Sequence, residues 1–82
     1  MPEKEVSKPK AEELESWANK NGEFIGAVFT SSRNTIIDGL YTVNGEPFAI
    51  VSKGYEGGDK GRYTVLYTEK QAQQLESDKI EL

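Results

Sequence analysis

The chain has 82 residues, a net charge of −4, no cysteine and no histidine. Disulfides and thiolate chemistry are excluded, and so are the usual general base at neutral pH and the commonest metal ligand. A chain this short buries only about two thirds of the surface its unfolded form exposes, so its core is thin and a partner or second copy would reinforce it.

Residues 1–8 are polar and charged and read as a frayed tail, leaving 9–82 as a single α+β domain. A helix is expected from Pro9, which suits a first helical position because its missing N–H has no partner there in any case. Glu12 and Glu13 then fall in the first turn, where they complement the helix dipole. Ala11, Leu14, Trp17 and Ala18 recur on one helical stripe. Asn21-Gly22 closes the helix, with glycine in the left-handed conformation that helix ends favour.

Four strand-like runs follow, at 23–30, 35–43, 47–53 and 62–67, rich in Val, Ile, Phe, Tyr and Thr. Asn44-Gly45 between the second and third is the signature of a type I′ turn, in which both residues take positive φ. That turn sets Val43 against Glu46, Thr42 against Pro47, Tyr41 against Phe48, Gly39 against Ile50 and Ile37 against Ser52. Pro47 then occupies a non-hydrogen-bonded pair, where its missing N–H costs the hairpin nothing. A glycine-rich loop at 54–61 joins the third and fourth runs. Thr68-Glu69-Lys70-Gln71 is a capping box opening a short second helix, with Ala72 and Leu75 as its apolar face. Ser77-Asp78 ends that helix, and Ile80 and Leu82 form a tail able to pack or pair. The expected fold is thus a four-stranded antiparallel sheet, open or curled like a barrel, with a helix at each end.

Strand alternation sorts the hairpin into two faces. Ile37, Tyr41, Val43, Phe48 and Ile50 make a core face. Ile36, Leu40, Ala49 and Val51 make a second apolar face, interrupted by Asp38 and Lys53. Two short helices are little cover for both, so the surface around Ile25, Phe29, Ile36 and Leu40 is the first candidate for partner binding.

The second candidate is the hairpin at 53–67, where Tyr55 and Tyr63 lie near Lys60 and Arg62. Aromatic rings on a sheet beside basic groups can bind single-stranded nucleic acid. The charge distribution opposes that use. Residues 1–23 carry six acids and four bases, residues 68–82 carry four and two, and residues 24–67 balance at four each. The glycine-rich loop lacks the spacing of a phosphate-binding loop.

Asp38 is an isolated mid-strand carboxylate, and neither a catalytic constellation, a metal-ligand set nor a cofactor motif is present in the sequence. The expected function is a non-catalytic protein-interaction domain, an accessory or inhibitor-type binder whose simplest partner is a second copy. An inhibitor of this balance can also imitate the charge of nucleic acid, although −4 is a small supply. No apolar run reaches membrane-spanning length and the N-terminus carries no signal peptide, so a cytoplasmic location is expected. The terminal Lys-Ile-Glu-Leu resembles a retention signal that is read only in proteins that have entered the secretory pathway, and with nothing to direct entry it is taken as a chance match.

Overall fold

The computed structural model describes residues 2–30, 35–53 and 62–82, with side chains at 2–26, 39–51 and 63–82. The element order is β1 (Glu3–Ser7), α1 (Lys8–Asn21), β2 (Gly22–Thr30), β3 (Thr35–Val43), β4 (Glu46–Lys53), β5 (Arg62–Leu66) and α2 (Glu69–Ser77). The fold class is α+β, as expected, but the antiparallel sheet has five strands in the order β1-β5-β4-β3-β2.

The added strand is β1, in the segment expected to fray. Of its five residues only Val6 is apolar and buried, so no local pattern marks it. Pairing creates it: Glu3 lies against Leu66, Glu5 against Thr64 and Val6 against Tyr63. The Tyr67 amide extends the ladder by donating to the Pro2 carbonyl at 3.2 Å.

Helix α1 starts one residue earlier than expected, capped by Ser7, whose hydroxyl accepts from the Lys10 amide. Glu12 and Glu13 consequently fall beyond the first turn. Gly22 follows the helix in extended backbone (φ −148°), so it enters β2 directly instead of forming a left-handed cap. Its place is set by close approach, since a Cβ there would land on the Thr42 carbonyl. The expected stripe of Ala11, Leu14, Trp17 and Ala18 is buried.

Neighbouring strands are antiparallel throughout, so β1 and β2, at opposite edges, run parallel to one another. The chain crosses between them through α1. A helix of 14 residues is about 21 Å long. Four interstrand gaps of about 4.8 Å span about 19 Å, so α1 reaches across the sheet and touches all five strands.

Val6, Tyr41, Val43, Phe48, Ile50 and Val65 of the sheet share one buried cluster with α1 and with Leu75 of α2. Both helices therefore cover the same face. Within this cluster Trp17 meets Phe48 edge-on (5.4 Å, 62°) and Phe48 meets Tyr41 at 6.4 Å, and outside it Phe24 meets Tyr41 at 5.4 Å. The aromatic chain runs from the centre to the β2 edge.

The β3–β4 hairpin turns at Asn44 (φ 58°) and Gly45 (φ 74°), and its register from Val43 to Gly39 is the expected one. Beyond Gly39 it departs. Asp38 is an extra residue on β3, so Ile37 pairs with Val51, not Ser52. The expected alternation of residues 35–37 is shifted by one, and Val51 stands opposite Ile37.

Candidate functional site

The capping box at the start of α2 forms as its sequence implies, with the Thr68 hydroxyl accepting from the Gln71 amide and the Gln71 side-chain oxygen accepting from the Thr68 amide. The same Gln71 side chain is fully buried and donates from Nε2 to the carbonyls of Val43, Glu46 and Pro47 at 3.0–3.2 Å. Asn44 donates to the Gln74 side chain beside it. This polar cluster is complete in itself and fixes α2 to the hairpin. Burial pushes the Tyr41 phenol above its ordinary value near 10. Repulsion from Glu15 adds to that, while a side-chain hydrogen bond with Asn19 opposes it.

Among the described residues no buried side-chain nitrogen or oxygen lacks a hydrogen-bond partner. Nor does any group of three or more carboxylates converge on a point able to hold a metal. Two open grooves of about 630 and 440 Å³ lie beside Ile80, the first along the tail from Lys79 to Leu82 and the second between Trp17, Lys20 and Asp78. No helix among the described residues is long and apolar enough to cross a membrane.

The described surface is distinctive at the β2 edge. Phe24 and Ile25 are its large exposed apolar side chains, at 52 % and 57 %. They are adjacent in sequence on an edge strand. Ile25 is the extra residue of a bulge, since Phe24 pairs with Tyr41 and Gly26 with Leu40. Gly26 itself takes φ 150°, and a Cβ there would meet open space. The local sequence explains the exposure, because one residue inserted between two paired positions is displaced from the ladder.

On the sheet face away from the helices lie Leu40, Ala49 and Leu66, paired in one row across β3, β4 and β5. Ala49 and Val51 are buried there but stand outside the helix-side cluster. Leu40 and Leu66 are half-buried.

The expected partner-binding residues divide accordingly. Ile25 is exposed and Leu40 half-buried, on adjacent strands near one another. Phe29 and Ile36 pair across β2 and β3 in the backbone, and their side chains lie outside the described residues. Arg62 opposes Ser7 in the backbone, and Tyr55 and Lys60 lie outside the described residues together with the glycine-rich loop. Tyr63 packs against the helix-side core, away from the Leu40 row. The sequence reading placed Phe24 within a generally apolar strand; its edge position, exposed beyond the aromatic chain, depends on strand order. Comparison of the chain with known protein families, curated proteins and solved structures finds no match.

Proposed function

We propose that this is a non-catalytic protein-interaction domain, an accessory or inhibitor-type binder that engages its partner through the β2 edge and the adjoining sheet face. The observation that carries this reading is the pair Phe24 and Ile25, exposed side by side on a strand that has no outer neighbour among the described residues. Contiguous exposed apolar surface is characteristic of interaction sites, and a sheet edge adds a row of hydrogen-bonding groups that another strand can satisfy. The absence of histidine and cysteine from the sequence supports a binding role over a catalytic one.

Phe24 packs against Tyr41, whereas Ile25 has little packing to lose, so Ile25→Lys is the variant that tests the surface while sparing the fold. Affinity capture with the immobilised chain, compared between wild type and Ile25→Lys, should recover a protein that the variant fails to hold. Recovery of nucleic acid that survives moderate salt, with no Ile25-dependent protein, would overturn the reading in favour of a single-strand binder.

A further inference from the structure

The tripeptide Asn-Gly-Glu occurs twice in the sequence, at 21–23 and at 44–46. Asn-Gly is the asparagine context most open to spontaneous deamidation. Glycine has no side chain to hinder its own amide nitrogen as that atom attacks the neighbouring side-chain carbonyl. The fold places the two copies in unlike settings.

Asn21 is the last residue of α1, half-buried, and its Nδ2 donates to the Trp17 carbonyl at 2.9 Å. The Gly22 amide, which would be the nucleophile, donates to the Ala18 carbonyl as the helix ends. Gly22 also pairs with Val43 on β3 and lies close against the Thr42 carbonyl. Both reacting groups are thus engaged. Freeing them means unwinding the last turn of α1 and lifting the start of β2 together.

Asn44 and Gly45 are exposed at the tip of the β3–β4 hairpin. The two-residue turn pairs Val43 with Glu46 and leaves the Gly45 amide outside the ladder. A Cβ at Gly45 would meet no atom, so the peptide has room to rotate. The Asn44 side chain donates to Gln74, a contact at the surface. Bringing the Gly45 nitrogen onto Cγ requires Asn44 to leave its left-handed conformation (φ 58°), and local opening of the hairpin tip is enough for that.

We infer that Asn44 is a site of spontaneous deamidation and that the fold shields Asn21 from the same reaction. The Gly45 nitrogen gives its proton to solvent base and bonds to Cγ of Asn44. Nδ2 then leaves as ammonia, and a cyclic succinimide remains. Water adds to one of its two carbonyls and opens the ring, giving aspartate or isoaspartate. The net change is water taken up and ammonia released, with no oxidation or reduction.

Isoaspartate carries the side-chain methylene in the main chain and so lengthens the turn that sets Val43 against Glu46. Gln71 Nε2 donates to the carbonyls of both those residues, one on each side of the turn. The lengthened form therefore disturbs the anchor that fixes α2 to the hairpin.

Incubation of the full chain at mildly alkaline pH, followed by peptide mapping with liquid chromatography and mass spectrometry, tests this. In the folded protein Asn44 should be lost at least about tenfold faster than Asn21, a factor equivalent to about 1.4 kcal/mol of additional opening cost at Asn21. In concentrated urea the two rates should converge, because the tripeptides are identical.

Equal rates in the folded chain, or faster loss at Asn21, overturn the inference. So does an Asn44 that survives in the folded chain while it is consumed in urea. Rates that stay apart by the same factor in urea assign the difference to flanking sequence and refute the role of the fold. The purified isoaspartate form should melt below both the fresh chain and Asn44→Asp, and an isoaspartate form that melts with the fresh chain refutes the link to α2.

Discussion

The Nε2 of Gln71 donates to the carbonyl of Val43 at 3.1 Å in the protein interior, joining the first turn of α2 to the mouth of the β3–β4 hairpin. Two amide hydrogens there serve three carbonyls, those of Val43, Glu46 and Pro47, while the same side chain's oxygen completes the capping box. One residue thus stabilises a local helix end and a contact with residues 24 to 28 positions away.

Those two roles separate by mutation. Thr68→Ala removes one side of the cap and should cost about 1 kcal/mol. Gln71→Ala removes the cap, the donors to three carbonyls and a buried side chain together, and should cost about 2–4 kcal/mol. Urea denaturation of both variants measures the difference. Equal losses would mean that the donors to the hairpin add nothing.

Helix α2 ends in a Schellman motif whose left-handed residue is Lys79 (φ 62°). The Ile80 amide donates to the Leu75 carbonyl and the Lys79 amide to that of Glu76, and Ile80 packs on the core cluster that contains Leu75. Glycine is the residue that takes this conformation without a Cβ penalty. Lys79→Gly should therefore stabilise the protein by about 1 kcal/mol, raising Tm by roughly 4–8 °C in a domain of this size. Thermal melts followed by circular dichroism would show it, and an unchanged or lower Tm would contradict it.

Gly39 lies beneath the ring of Tyr41. A Cβ at position 39 would stand 2.7 Å from Tyr41 Cε1 and 3.0 Å from its Oη. Gly39→Ala should destabilise by about 1–3 kcal/mol, since the buried ring has little room to shift. Gly39→Ala combined with Tyr41→Leu should cost less than the sum of the two single changes, because the clash disappears with the ring. Strict additivity in the double-mutant cycle would refute the contact.

Tyr41 also gives stability a dependence on alkaline pH. Burial and the nearby Glu15 hold its folded-state pKa above the ordinary 10, so the folded protein keeps a proton that the unfolded chain has already lost. The stabilisation is complete below pH 10 and declines as pH rises from there through the folded value. Tyr41→Phe should lower the slope of unfolding free energy against pH above 10. Absorbance titration at alkaline pH should show a tyrosine ionising above pH 10 in the wild type that is missing from Tyr41→Phe.

The legible parts of this protein are those whose causes lie within a few residues. The α1 stripe follows from helical spacing, the turn at Asn44-Gly45 from the positive φ both residues tolerate, and the α2 cap from Thr68 and Gln71 three positions apart. The hairpin register near the turn follows because the turn type fixes it. At the candidate site Ile25 is exposed on an apolar strand, and Tyr63, which alternates with Val65 on one strand face, is half-buried against the core.

What only tertiary structure decided has non-local causes. Glu3–Ser7 becomes a strand because β5 offers it a ladder, which five residues with one buried valine do not announce. The extra residue at Asp38 reverses the alternation beyond Gly39, and a turn at Asn44-Gly45 carries no information about a bulge six positions away. Both helices share one face because α1 must bridge two edge strands while Gln71 and Leu75 bind α2 to the same side. Short-range preferences set each element, but which surface remains uncovered depends on packing between distant segments. The exposed β2 edge is a product of that packing.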